Sequence, residues 1–121
     1  MKIETIEVDK STIIFLAIYE DGVMGKCSLK LRTNKTIRYF DAYTNPKDRG
    51  KGVYKALFHK REEFVKNNFS DWQIESYCKE STIKLFKNNG FEVVEKLYLV
   101  SKNFIKNSQD PGLTVEVIFI K

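Results

Sequence analysis

The 121-residue sequence predicts a single small α/β domain, residues 1–121, with the element order ββββ-α-β-α-ββ. Three observations carry this prediction. Thr12–Tyr19 and Val23–Leu31 are rich in β-branched and aromatic residues and flank the turn signal Asp21-Gly22, which makes them a hairpin. Gly52 to about Asn68 has a broad apolar stripe at helical spacing, as a helix lying across a sheet requires. Past that helix, short strand-like runs flank one further amphipathic helix.

The elements follow in order. Lys2–Val8 alternates and predicts a first short strand ahead of the hairpin. Arg32–Thr36 is polar and turns the chain into a strand at Ile37–Tyr43, with Ile37, Tyr39, Asp41 and Tyr43 on one face and Arg38, Phe40 and Ala42 on the other. Thr44-Asn45-Pro46 ends it, because proline gives no donor to a ladder. In the helix, Val53, Ala56, Leu57 and Phe64 form the stripe, Tyr54, Phe58 and Val65 widen it, and Lys, Glu and Arg fill the rest. Trp72–Cys78 reads as a strand with Trp72, Ile74, Ser76 and Cys78 facing together. A shorter helix starts at Ser81 or Thr82, carries Ile83, Leu85 and Phe86, and closes at Asn89-Gly90. Phe91–Val100 is expected to be a long strand, Ser101–Gly112 a loop, and Leu113–Ile120 the last strand.

Composition narrows the function classes. At 42% hydrophobic and 13% aromatic, the chain is too apolar for a disordered protein. Cys27, Cys78 and His59 do not make the four-ligand set of a structural zinc site, so no metal is expected; a disulfide between the cysteines is left open. MKIETIEVDK has no apolar signal core, and no apolar run approaches the length of a membrane span, which predicts a cytoplasmic protein. The net charge of +5 invites a nucleic-acid partner. The local excess, however, sits at Lys47, Arg49, Lys51 and Lys55, then His59, Lys60 and Arg61. The first group suits a small polyanionic cofactor at least as well as a polymer, and a solvated lysine-rich surface explains the remainder.

The stretch Asn45-Pro46-Lys47-Asp48-Arg49-Gly50-Lys51-Gly52-Val53-Tyr54-Lys55 runs from strand through a glycine turn into a helix. Gly50 and Gly52 remove side chains where backbone can approach a ligand. The helix's first N–H groups lack intrahelical partners and face outward as anion donors. The arrangement reads as a pyrophosphate cradle; the plain alternative is a loop whose glycines only turn the chain. A dinucleotide GxGxxG is excluded because Lys55 takes its last glycine position, and a Walker loop because no Gly-Lys-Ser/Thr follows.

With these residues in place, the sequence resembles the GNAT family of N-acetyltransferases. The family motif Arg/Gln-x-x-Gly-x-Gly/Ala is matched by Arg49-Gly50-Lys51-Gly52-Val53-Tyr54, preceded by a family-like Pro46. A second element, Ser81-Thr82-Ile83-Lys84-Leu85-Phe86-Lys87-Asn88-Asn89-Gly90-Phe91, resembles the family's helix ending in Gly-Phe. The resemblance covers about residues 37–100. It implies a mixed, mostly antiparallel sheet with the fourth and fifth strands splayed, two main flanking helices, and acetyl-CoA as the acyl donor. It also implies that pantetheine lies along the fourth strand, with backbone bonds from Tyr43 and Thr44. Amides of Arg49, Gly50, Lys51, Gly52, Val53 and Tyr54 would hold the pyrophosphate, and Lys51 and Lys55 could reach its oxygens.

The chain departs from the family in three places. Tyr54 replaces a small residue, so its ring must point away from the cofactor. Phe86 stands where many members carry a tyrosine acid. Only 36 residues precede Ile37, so the front helices that wall the acceptor site are shortened or absent, and a homodimer could restore the wall. The expected reaction is direct transfer of acetyl from acetyl-CoA to a primary amine of a small or macromolecular acceptor. Asp41 is the first candidate base, Glu75 and Glu80 are alternatives, and Tyr77 or Tyr98 could replace the missing acid. The rival is a catalytically weak module of the same fold acting on a protein or nucleic-acid partner.

Overall fold

A computed structural model describes residues 1–20 and 22–104. A first compact unit spans Met1–Phe91 and a second begins at Glu92. The first contains β1 (Lys2–Glu7), β2 (Thr12–Tyr19), β3 (Gly22–Arg32), β4 (Thr36–Thr44), a 3-10 turn (Pro46–Asp48), α1 (Val53–Asn68), β5 (Gln73–Ser76) and α2 (Glu80–Asn88). The strands lie side by side in sequence order. Neighbours are antiparallel from β1 to β4, where short turns suffice, and parallel between β4 and β5, where α1 supplies the crossover. Asn34 and Lys35 both take positive φ in the β3–β4 turn, which matches its twist to the strands.

The sheet's back face packs against α1. Phe15, Ala17, Cys27, Leu29, Ile37, Leu57 and Phe58 are fully buried there, and Phe86 of α2 joins them. Each large apolar side chain removed from water contributes about 1.5–3 kcal/mol. Phe86 sits edge-on to Phe58 at 5.1 Å and to Phe91 at 5.0 Å, so its phenyl ring is a core residue. The polar side expected of α1 is broken by Arg61, which is 1% exposed. Its guanidinium lies 3.8 Å from the centre of the Tyr39 ring and donates from Nη1 to Ser28 O at 3.0 Å. Aromatic faces and a backbone carbonyl take the place of a carboxylate there.

The expected alternation along β4 fails beyond Tyr39. Leu29 pairs with Tyr39 and Ser28 with Phe40, but Lys26 pairs with Tyr43 and Gly25 with Thr44. β4 therefore holds one extra residue opposite Cys27, a bulge, and Asp41 takes φ 55° within it. Tyr43 consequently shares the front face with Phe40, and Thr44 returns to the face of α1. A further correction concerns β5, which ends at Ser76; Cys78 lies beyond the ladder and is exposed.

Phe91–Val100, expected as a long strand, has no ladder recorded among the described residues. Alternation shows which face a strand would bury, not that a ladder partner is in place, and the partner foreseen at Leu113–Ile120 lies outside the described residues. So does most of the loop expected at Ser101–Gly112. Within the second unit, Lys102 Nζ lies 4.7 Å from the centre of the Phe104 ring.

Candidate functional site

The β4–β5 ladder runs from Thr36↔Gln73 to Tyr39↔Ser76 and stops, whereas β4 continues to Thr44. Among the described residues, Phe40–Thr44 thus has β3 on one side and no strand on the other, which is the splay that the resemblance implied. Unpaired N–H and C=O groups on such an edge are a ready template for another extended chain. Thr44 O is already engaged, accepting from Arg49 Nε at 3.1 Å.

At its C-terminal end this edge meets the glycine turn. Asn45 ties the strand end to β3, its N–H donating to Met24 O at 2.8 Å and its Nδ2 to Val23 O at 2.6 Å. Gly50 (φ 78°) and Gly52 (φ 79°) are both left-handed, and a Cβ at either would meet nothing within 4 Å. The glycines therefore serve backbone conformation and leave open space in front of the backbone. Ala56 N–H is the first in α1 with an intrahelical acceptor, Gly52 O at 3.0 Å, so the amides of Val53, Tyr54 and Lys55 are unpaired by helix geometry. These three residues line a cleft of about 160 Å³ with Thr44, Asp48, Arg49, Gly50 and Gly52.

Of the residues expected to bind cofactor, Thr44, Arg49, Gly50, Gly52, Val53, Tyr54 and Lys55 line the cleft. Tyr43 does not; it is exposed, and its ring lies 5.7 Å from the Arg49 guanidinium. Lys51 leans instead towards Asp48, 3.8 Å from Oδ1. Tyr54 packs edge-on against Phe58 at 6.3 Å, with its ring turned into the core. Burial raises its pKa, and the Arg61 charge opposes that shift.

Two residues of this region went unnoticed in the sequence. Gly25 is the first: a Cβ there would lie 2.9 Å from Tyr43 O and 3.1 Å from Val53 Cγ1, so glycine lets α1 sit against the end of β4. A glycine inside a strand pattern was the available signal. Asp48 is the second, a carboxylate only 7% exposed whose Oδ2 has no recorded partner among the described residues. Nothing in its local sequence foretells burial.

The catalytic candidates lie apart from the cleft. Asp41 sits on the bulge, half exposed, with Lys26 Nζ 2.9 Å from Oδ2. Glu75 Oε1 accepts from Arg38 Nε at 3.0 Å, from Arg38 Nη2, and from Arg32 Nη1 at 3.2 Å. Tyr77 follows the last paired residue of β5 and lies under the Arg38 guanidinium at 4.8 Å. Glu80 is the first residue of α2 and is exposed. Among the described residues no group of His, Cys, Asp and Glu could hold a metal, and no helix is long and apolar enough to cross a membrane. Cys27 and Cys78 are both free.

No family model matches the sequence, and no curated protein matches it. Solved structures do. An aminoglycoside N-acetyltransferase in complex with CoA is 20% identical with TM-score 0.59, the match covering 78% of this chain and 78% of that one. An aminoglycoside 6'-N-acetyltransferase from Acinetobacter haemolyticus is 21% identical with TM-score 0.57, covering 78% and 72%. A transcriptional regulator from Bacillus halodurans is 14% identical with TM-score 0.64, covering 78% and 69%. At these identities the likeness establishes the fold, which is that of the GNAT acetyltransferases.

Proposed function

We propose that this chain is a divergent GNAT N-acetyltransferase that moves an acetyl group from acetyl-CoA to a primary amine. The observation that carries the reading is the continuity of one surface: the open edge Phe40–Thr44 leads into the unpaired amides of Val53–Lys55. An extended arm carrying amides would suit the edge, and a pyrophosphate would suit the helix start. The relative solved with CoA makes that ligand the natural one to try. Lys51 and Lys55 would add charge beside it.

Bound there, acetyl-CoA would supply a thioester, whose acyl carbon gains a C–N bond to the amine as the C–S bond breaks and CoA departs as the thiol. The amine attacks only when neutral, so a group must accept its proton. We assign that role to Asp41, which stands at the start of the open edge and would give up Lys26 as the amine arrives. Glu75 and Glu80 are the alternatives. Backbone amides near Tyr43 and Thr44 would steady the charge developing on the carbonyl oxygen. Phe86 is sealed in the core and has no proton to give, so we place the exposed Tyr77 as donor to the departing sulfur. A second copy of the chain would wall the acceptor side.

Titration of the whole chain with CoA and acetyl-CoA, followed by amine-dependent thiol release, tests the reading. Micromolar binding that Gly52→Val abolishes, with thiol release that needs the amine, supports it. Absence of binding at millimolar cofactor would sink it. CoA binding without turnover for any amine would favour the second reading, a binding module for a protein or nucleic-acid partner. The core position of Phe86 and the fold shared with a transcriptional regulator favour that alternative. Steep weakening with salt would mark nucleic acid as the partner.

A further inference from the structure

The front face of the sheet carries an unbalanced cluster of charge beside the open edge. Cross-strand register places Lys30 and Arg32 of β3, Arg38 of β4 and Glu75 of β5 on that face. Both helices of the first unit bury their apolar residues on the opposite one. Glu75 accepts both guanidiniums through a single oxygen, Oε1. Lys30 stands directly opposite Arg38 in the ladder, a like-charge pair that costs stability unless an anion lies nearby. The neighbouring Lys26 is matched by Asp41 at 2.9 Å. Two guanidiniums therefore share one carboxylate, and Lys30 adds a third positive charge opposite Arg38 with no recorded ion pair of its own among the described residues. Arg38 immediately precedes Tyr39, the last residue of β4 paired to β5, so the surplus charge borders the point where the strands part. The exposed ring of Tyr77 lies against Arg38 at 4.8 Å and would hold that guanidinium in place.

We infer that this cluster selects the acceptor: a primary amine whose molecule also carries an oxyanion, either carboxylate or phosphate. The inference rests on the acetyltransferase reading. Arg32 uses one N–H in its bond to Glu75, and its remaining fork matches either oxyanion. With Lys30 and Arg38 completing the positive site, the oxyanion would anchor one end of the acceptor and leave its amine towards Asp41. A polycationic acceptor would meet a field of its own sign here.

Matched amines separate these outcomes. The full chain is titrated calorimetrically, with and without saturating CoA, using β-alanine against β-alanine amide, ethanolamine phosphate against ethanolamine, and spermidine. In at least one pair the oxyanion-bearing member is expected to bind about tenfold tighter or more, the size of one charge-assisted hydrogen bond. Arg32→Gln should erase the difference, Lys30→Gln should reduce it, and both should leave CoA affinity unchanged. Which pair shows the larger gap identifies carboxylate or phosphate as the source. Equal affinities within both pairs, tighter binding of spermidine, no binding of either oxyanion-bearing amine at tens of millimolar, or a preference that survives Arg32→Gln would each overturn the inference. The amine comparison is read on the protein alone as well, so a failure to bind CoA would sink the acetyltransferase reading without deciding whether the cluster prefers oxyanions.

Discussion

Thr36–Tyr39 and Phe40–Thr44 are consecutive halves of one strand, yet among the described residues β3 and β5 flank the first while β3 alone flanks the second. Ile37 and Tyr39 are buried, whereas Phe40, Asp41, Ala42 and Tyr43 are exposed. The bulge at Asp41 marks the change. An irregularity of one residue turns the strand from a core element into an edge that can be read by a ligand. Stability should therefore reside in the first half and binding in the second, and mutations should separate the two.

The largest stability effect should come from the paired half. Ile37→Ala is expected to cost about 2–5 kcal/mol, read by chemical denaturation, because it opens a cavity under α1. The remaining folded protein should keep its CoA affinity. A comparable loss from a change at Tyr43 would erase the distinction between the halves.

Alkaline pH probes the core opposite the bulge. Burial pushes the Cys27 thiol from an ordinary 9.0 up to about 11, with the Arg61 charge opposing it. The folded state then keeps a proton that the unfolded state releases, so this contribution is complete below pH 9.0 and is lost as pH rises through about 11. Roughly 2 kcal/mol should disappear by the upper end of that window. Tyr39 is raised for the same reason, burial first and its bond to Glu62 second, and adds in the same direction. Denaturation measured across this range should show a shallower decline in Cys27→Ala.

The loop beyond the second half should respond in the opposite proportion. Gly52→Val places a β-branched residue at φ 79° with open space around it, so the folding cost should be only about 1–2 kcal/mol. The added side chain would occupy the space in front of the helix amides, and CoA affinity should fall more than about tenfold. Denaturation and titration on the same sample check both figures. The smallest stability change belongs to Asp41→Asn, since asparagine tolerates the left-handed backbone and an exposed ion pair contributes under about 1 kcal/mol. Amine-dependent thiol release should nevertheless drop by about 10²–10⁴. Unchanged turnover would remove Asp41 from its assigned role.

Much of this comparison was legible in the sequence, because its causes are local. The Thr12–Tyr19 strand, the end of β4 before Pro46 and the glycine turn into α1 each follow from residue types acting on their own backbone. The bulge was not legible. No glycine marks it, and Asp41 accepts positive φ without any compositional signature, so strict alternation put Tyr43 on the wrong face. Arg61 was read as solvated because its partners, Tyr39 and Ser28, are distant in sequence. The same holds for Glu75, whose meeting with Arg32 and Arg38 depends on the parallel register of β5.

Native-state amide exchange, followed with and without saturating CoA, tests the central claim most directly. The account predicts protection gained at Phe40–Thr44 and at Gly50–Lys55, with Thr36–Tyr39 unchanged because its ladder is already complete. CoA that binds without protecting either segment, or that protects only residues elsewhere, would contradict it.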